Sequence, residues 1–290
     1  MQPPSAPNTP DPSQVLLLDG PTGTEFEARG VSTPLPAWSA HALQRAPEVL
    51  AEVHRDYANA GATVHTAATF RTRPGSVGSE WARLATHAVE VCREAVPATH
   101  RVAGSIAPLA DCYRPDLSPP HPGEQHRQLA EVLAEAGADL LICETFPHTG
   151  EALAAVDAAI STGLPTWLAL TAGPDASLLT PQSLATCAEV AVDRGVSAVL
   201  VNCVGATLTL PYVVALVNRI SSVPVGAYGN AGRPDEAIGW QSGPPGPDRY
   251  AALAAEWVAV GARIVGGCCG TGPDHIRALR SALNRGTMPS

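Results

Sequence analysis

Two adjacent cysteines, Cys268 and Cys269, end an apolar run and are enclosed by glycines, in the segment 263–271 with the sequence RIVGGCCGT. Thiolates bind soft and borderline metal ions, and zinc is the commonest of these in sites without redox chemistry. Two cysteines do not complete a zinc site, so a third ligand has to come from elsewhere in the chain. An open fourth position would make such a site catalytic. A vicinal disulfide or two buried thiols are the alternatives for this pair.

Cys203 is the candidate for the third ligand, because it also ends an apolar run, in the segment 198–205 with the sequence AVLVNCVG. Three thiolates on Zn²⁺ leave a fourth position for water or for a substrate thiol. Adjacent residues of a regular strand point to opposite faces. Cys268 and Cys269 therefore share one ion only if the chain bends at this point, and the flanking glycines permit that bend.

Two carboxylates, Asp19 and Glu144, also follow apolar runs, where burial of a charge is costly unless it is paired. A structural salt bridge to an arginine is one interpretation. The functional interpretation is a pair of acceptors for a substrate ammonium group. Gly20 and Thr24 would then offer a backbone N–H and a hydroxyl to a carboxylate. Together these groups would recognise an amino acid by its two charged ends.

The elements that must position these residues are short apolar runs that alternate with amphipathic runs from residue 14 onwards. The runs are β-branched and apolar on both faces, which is typical of buried parallel strands. We predict strands at 15–20, 63–70, 101–108, 139–146, 165–172, 198–205, 223–230 and 263–269.

Eight strand–helix units indicate an α/β fold, a (β/α)8 TIM barrel that forms a single domain over residues 14–290, after a disordered leader at 1–13. An open doubly wound sheet is the alternative, but no G-x-G-x-x-G follows the first strand. In a barrel, all the candidate residues fall at the C-terminal mouth, where active sites form. The long connection 231–248 reaches the same mouth and is expected to be a rim loop or lid.

Composition excludes several functions. The net charge is −9 and all 18 basic residues are arginine, so a lysine Schiff base is excluded and neither nucleic acid nor an anionic membrane is a good partner. No apolar run is long enough to span a membrane. With 7 cysteines and no signal peptide, we expect reduced thiols in the cytoplasm. His126, at the start of a predicted helix, is expected to be solvated.

The chain resembles the homocysteine S-methyltransferase family from about residue 16 to residue 283. The matching segments include LLDGPTGT at 17–24, ADLLICET at 138–145, VNC at 201–203 and GGCCGT at 266–271. The resemblance implies zinc bound by three catalytic cysteines, Cys203, Cys268 and Cys269. It also implies that Asp19 and Glu144 bind the amino group of homocysteine, that the Gly20 region binds its carboxylate, and that Asn202 and Asn230 form polar walls near the metal.

The implied reaction is zinc-dependent transfer of a methyl group from a sulfonium donor to the thiol of L-homocysteine, which forms methionine. S-methylmethionine is the first candidate donor, because Thr145 fits that branch of the family, and S-adenosylmethionine is the second. Two alternatives stay open: a methyltransferase that acts on another small thiol or selenol, and a non-enzymatic zinc or redox sensor that uses Cys268 and Cys269. A homo-oligomer is compatible with the sequence.

Overall fold

The computed structural model describes residues 14–231 and 246–286. It contains eight parallel strands in one sheet, in the order β1-β8-β7-β6-β5-β4-β3-β2. A bridge between Leu18 and Val64 joins the two ends of that order, so the sheet closes into a barrel. The strands are β1 (Leu16–Leu17), β2 (Val64–Thr66), β3 (Arg101–Ile106), β4 (Leu140–Phe146), β5 (Thr166–Leu170), β6 (Ala198–Gly205), β7 (Val225–Asn230) and β8 (Ile264–Val265).

Helices follow the strands and form the outer layer, so the predicted single-domain (β/α)8 barrel is confirmed. The helices are α1 (Gly23–Ala28), α2 (Ser39–Arg45), α3 (Pro47–Ala60), α4 (Pro74–Val77), α5 (Trp81–Ala95), α6 (Gly123–Glu135), α7 (Thr149–Ile160), α8 (Pro181–Arg194), α9 (Leu210–Arg219), α10 (Gly246–Ala259) and α11 (Pro273–Gly286). No helix within 14–231 and 246–286 is long and apolar enough to cross a membrane. The predicted leader at 1–13 and residues 232–245 of the predicted lid lie outside the described residues.

All eight predicted strands are present, but the strands at the seam are shorter than predicted. The run 263–269 is a strand only at Ile264–Val265, because the two glycines that follow release the chain from the regular ladder. Cys268 N–H still donates to the carbonyl of Gly229 at 2.9 Å. The end of β8 therefore stays attached to β7 while it turns into the mouth of the barrel.

The core has two parts, as the alternation of side chains along a strand requires. Inside the barrel, residues such as Leu140, Ile142 and Leu200 pack against each other. Outside it, residues such as Leu141 and Val201 pack against the helices. The chain therefore has a fixed register, which decides which residues at the strand ends face the mouth.

Candidate active site

Strands β4 and β6 each contain a β-bulge at a candidate site residue. The pairing shifts between Glu144 and Phe146 in β4 and between Asn202 and Gly205 in β6. Within these bulges Thr145 has a φ of 62° and Cys203 a φ of 53°. Left-handed backbone costs a non-glycine residue about 1–3 kcal/mol and is concentrated at functional sites. The bulge turns Cys203 to the inside of the barrel, where the alternation from Leu200 would have placed it outside.

The two bulges are joined by side-chain hydrogen bonds. Thr145 N–H donates to Asn202 Oδ1 at 3.1 Å, and Asn202 Nδ2 donates to Thr145 Oγ1 at 2.8 Å. Asn202 Nδ2 also lies 3.5 Å from the sulfur of Cys203, and Thr145 Oγ1 lies 3.7 Å from it. Asn202 is fully buried behind Cys203. This arrangement supports the strained backbone and directs two donors at one sulfur.

The three candidate ligands meet at the mouth of the barrel. The sulfur atoms of Cys203, Cys268 and Cys269 all lie within 4.8 Å of one another. Cys203 and Cys268 are joined by a disulfide, and Cys269 is free. The vicinal disulfide between Cys268 and Cys269 that the sequence leaves open is therefore absent. The expectation of reduced thiols does not hold for Cys203 and Cys268, which form this disulfide.

The chemistry of this group fits a thiophilic metal ion. Three sulfur ligands are the number that a catalytic zinc site with one open position needs. Burial, together with the nearby Cys112, raises the pKa of the Cys269 thiol to about 12. A thiolate at this position therefore needs a cation to compensate its charge. Once reduced, the three cysteines could hold a metal ion and leave a coordination position facing the cavity.

Asp19 and Glu144 line a cavity of about 220 Å³ together with the three cysteines. Burial raises the pKa of Glu144, although Glu144 accepts hydrogen bonds from Ser105 Oγ and from Tyr228 OH that partly oppose the shift. Burial also raises the pKa of Asp19, against a hydrogen bond from Thr66 N–H at 2.9 Å. In the described part of the chain neither carboxylate forms an ion pair with an arginine. Neither carboxylate is therefore paired with a protein cation within 14–231 and 246–286, and a cationic ligand could supply the counter-charge.

Two buried histidines adjoin Asp19, and with it they form a second group of potential metal ligands, His54 and His65. Burial lowers the pKa of His54 to about 3. Burial, together with His100, lowers the pKa of His65 to about 4. Both imidazoles are therefore neutral at pH 7 and do not compensate the charge of Asp19. His65 is fully buried in strand β2.

The other predicted site residues lie around this cavity in different ways. Gly20 lines it, and a Cβ atom there would lie 2.6 Å from Tyr57 Oη. Thr24 accepts a hydrogen bond from Gly270 N–H at 3.3 Å, beside the cysteine pair. Asn230 Nδ2 donates to the Cys203 carbonyl at 3.2 Å. Direct contacts of Thr24, Asn202 and Asn230 with substrate remain predictions.

One part of the cavity wall contains none of the predicted site residues. This wall is built by loop residues: Leu35, Trp38, Phe70, Arg71, Cys112 and Tyr113. Trp38 and Phe70 pack edge to face with their ring centroids 5.9 Å apart. The only sequence signals were the position of Phe70 at the end of a predicted strand and the length of the loops that follow strands β2 and β3.

A replacement at Gly266 tests how tightly the cysteine loop is seated. A Cβ atom there would lie 2.8 Å from Leu18 Cβ and 2.9 Å from the Asp19 carbonyl. We expect Gly266→Ala to lower the free energy of unfolding by about 1–3 kcal/mol, as overpacking does, measured by urea denaturation. Gly75→Ala is the control, because a Cβ atom at Gly75 meets nothing within 4 Å. Equal changes in the free energy of unfolding for the two replacements would contradict the close packing of Gly266 against Leu18 and Asp19.

Three converging cysteines and two desolvated carboxylates lie at the C-terminal mouth of a (β/α)8 barrel, where they form a candidate site that could hold a thiophilic metal ion beside a small polar ligand. The sequence pattern of the Homocysteine S-methyltransferase family matches residues 16–283. The chain belongs to this family, and it is therefore a methyltransferase that transfers a methyl group to homocysteine.

Individual relatives agree with this assignment. The Homocysteine S-methyltransferase of Escherichia coli is 33% identical over 300 residues, which cover 93% of this chain and 96% of that protein. The Selenocysteine methyltransferase of Astragalus bisulcatus is 28% identical over 323 residues, which cover 96% and 95%. The crystal structure of the homocysteine methyltransferase MmuM from Escherichia coli in its metallated form superposes with a TM-score of 0.77 at 30% identity, covering 93% of this chain and 96% of that one.

Proposed function

We propose that this methyltransferase uses zinc and a sulfonium donor, with S-methylmethionine as the main donor and S-adenosylmethionine as the second candidate, to convert L-homocysteine into methionine. The observation that carries the proposal is the convergence of three cysteine sulfurs on a cavity that also contains two carboxylates without counter-ions. A cavity of about 220 Å³ is smaller than the roughly 300–1,000 Å³ of sites for drug-sized ligands. That size favours donors of amino-acid size over a nucleoside sulfonium.

In this proposal Asp19 and Glu144 bind the ammonium group of homocysteine. Each carboxylate is desolvated, so an ammonium ion between them would favour the ionised form of both. Glu144 is held in place by Ser105 and Tyr228. The backbone N–H of Gly20 adjoins Asp19 and would donate to the carboxylate of homocysteine, which is attached to the same α-carbon as the ammonium group. The amino-acid end of the substrate is thereby bound at one side of the cavity, and its side chain extends towards the cysteines.

Cys203, Cys268 and Cys269 would hold the zinc ion in their reduced state. When bound, zinc lowers the pKa of a coordinated thiol, so the substrate sulfur is a thiolate at neutral pH. Asn202 and Thr145 direct hydrogen-bond donors at the sulfur of Cys203. These donors stabilise the negative charge of that cysteine and keep it available as a ligand.

The donor would occupy the aromatic side of the cavity. Trp38, Phe70 and Tyr113 line this side, and aromatic faces attract onium cations. Tyr228 also lines the cavity, but its hydroxyl donates to Glu144. The methyl group would then lie between the donor sulfur and the homocysteine sulfur, in line for direct transfer.

The assay of the donor is direct. The reduced, zinc-loaded protein is incubated with L-homocysteine and, in separate reactions, with S-methylmethionine, S-adenosylmethionine or glycine betaine, and methionine is quantified by mass spectrometry. We expect methionine to form fastest with S-methylmethionine and to require zinc. Equal rates after complete removal of zinc, or turnover with betaine alone, would refute the proposal.

A second acceptor has one observation in its favour, the similarity to a selenocysteine methyltransferase over 96% of the chain. A selenol is more acidic than a thiol and would fit the same open position. Competition between homocysteine and selenocysteine for a limiting donor separates the two functions.

The non-enzymatic sensor is not retained, because the chain belongs to a family of enzymes and Cys268 pairs with Cys203. The cytoplasmic location, the lack of nucleic-acid or membrane partners and any homo-oligomer remain predictions.

A further inference from the structure

One cationic side chain, Arg71, lies in the wall of the cavity, beside Phe70, Cys112 and Tyr113. Its guanidinium carbon lies 5.3 Å from the centroid of the Phe70 ring. Arg71 Nη1 donates to the Ala110 carbonyl at 3.2 Å. The Nε atom is buried and has no hydrogen-bond partner among the described residues. One edge of the guanidinium, formed by Nε and Nη2, is thus left without a protein acceptor within 14–231 and 246–286.

The neighbouring Arg73 shows that an arginine in this loop can have hydrogen-bond partners at all three of its nitrogens. Arg73 donates from Nε to Ser76 Oγ at 3.1 Å, from Nη1 to the Pro108 carbonyl and from Nη2 to the Ala110 carbonyl at 3.3 Å. Arg73 does not line the cavity. Both arginines therefore hold the backbone at Ala110, but only Arg71 keeps a free edge.

The free edge of Arg71 lacks a counter-charge. Arg71 is half-buried and its Nε atom is fully buried. Burying part of a charged group without an anion is unfavourable, and no described acidic residue forms an ion pair with Arg71. The two acids of the cavity are engaged elsewhere, Asp19 with Thr66 and Glu144 with Ser105 and Tyr228. The edge that combines Nε with Nη2 matches the two oxygens of a carboxylate, which arginine binds in a bidentate manner. A substrate carboxylate would supply such a group.

The carboxylate of homocysteine is not the better candidate. It is attached to the same carbon as the amino group. It must therefore lie beside Asp19 and Glu144 when these bind the ammonium group, and the backbone of Gly20 is available at that position. Arg71 instead lies among the residues that would surround the donor. We propose that Arg71 binds the carboxylate of the methyl donor, so that the enzyme selects onium donors that carry a carboxylate. This inference rests on the proposed function.

The test compares two donors that differ only in this group: S-methylmethionine and its decarboxylated analogue, (3-aminopropyl)dimethylsulfonium. Initial rates of methionine formation are measured with the zinc-loaded enzyme at saturating homocysteine. We expect Arg71→Met to lower kcat/KM for S-methylmethionine by at least about 30-fold, as when one partner of a desolvated charge pair is removed. The same variant should change kcat/KM for the analogue by less than about threefold, and Arg71→Lys should recover part of the loss because it restores the charge.

Arg73→Met is the matched control, because Arg73 holds the same Ala110 carbonyl from outside the cavity. It should affect both donors alike. Equal losses with both donors in Arg71→Met would overturn the inference and reduce Arg71 to a residue that holds the loop. The KM for homocysteine is measured separately by varying homocysteine at a fixed concentration of each donor. A rise in this KM with both donors would also overturn the inference, by assigning Arg71 to the acceptor. If the wild-type enzyme forms no methionine from either donor, the proposed function itself fails, and the inference fails with it.

Discussion

Replacing Cys203, Cys268 or Cys269 by alanine is expected to abolish metal binding and to lower methyl transfer by about three orders of magnitude or more, with the barrel still folded. Two remaining thiols cannot form a three-sulfur site. A free homocysteine thiol with a pKa of about 8.5 is mostly protonated at pH 7, and loss of its fixed position removes several kcal/mol of further rate enhancement. Metal content per chain, methionine formation and circular dichroism measure the three parts of this result.

Two other cysteines provide the controls. Cys112 lines the same cavity but lies outside the group of three sulfurs, and Cys187 is buried on α8. Cys112→Ala and Cys187→Ala should keep one metal ion per chain. All proteins are compared after reduction, because the Cys203–Cys268 disulfide competes with the metal. Full activity in any of the three ligand variants would refute the assignment.

Glu144→Gln is expected to weaken homocysteine binding by about 30-fold or more and to leave metal content unchanged. The replacement keeps the shape of the side chain but removes the charge that would face the substrate ammonium, and loss of one partner in a buried charge pair costs about 2–5 kcal/mol. Isothermal titration of homocysteine into the zinc-loaded protein measures the change. Tyr228→Phe, which removes one hydrogen bond to Glu144, should give a smaller effect. Unchanged affinity in Glu144→Gln would reject the role.

The pH dependence of stability gives the same variant a second readout. Burial raises the pKa of Glu144 above its ordinary value, so the folded apo-protein holds this proton more tightly than the unfolded chain does. As the pH rises above about 4, the unfolded chain releases the proton first and the free energy of unfolding falls. Glu144→Gln lacks this penalty. We therefore expect the difference in free energy of unfolding, variant minus wild type, to be larger at pH 7 than at pH 4. Equal differences at the two pH values would contradict the raised pKa of Glu144.

The sequence predicts the barrel and much of the site because both depend on local patterns. Apolar runs place the strands, and the ends of the runs bring Asp19, Glu144 and the three cysteines to one mouth. The bend after β8 is predictable because the residues that permit it are glycines. By contrast, the left-handed backbone of Thr145 and Cys203 arises from register shifts between neighbouring strands, which a single sequence does not contain.

Two further residues illustrate the same limit of local patterns. His126 is expected from its helix start to be solvated, but it is fully buried and lies 3.3 Å from Glu151 on α7, because that helix packs against α6. The sequence around Arg71 indicates only a loop. In the structure, Cys112 and Tyr113 from the loop after β3 line the same cavity as Arg71. Both positions are decided by contacts between segments far apart in the chain.

The hydrogen bonds between the two bulges have a consequence for substrate length. Glu144 adjoins Thr145, Thr145 is bonded to Asn202, and Asn202 adjoins Cys203. In the proposed function, Glu144 binds the substrate amino group and Cys203 lies next to the substrate sulfur. These two residues therefore belong to one hydrogen-bonded unit with little freedom to approach or separate. The distance between these two groups is therefore fixed. Homocysteine and selenocysteine, whose reactive atoms differ by one methylene in their distance from the α-carbon, cannot both match it equally well.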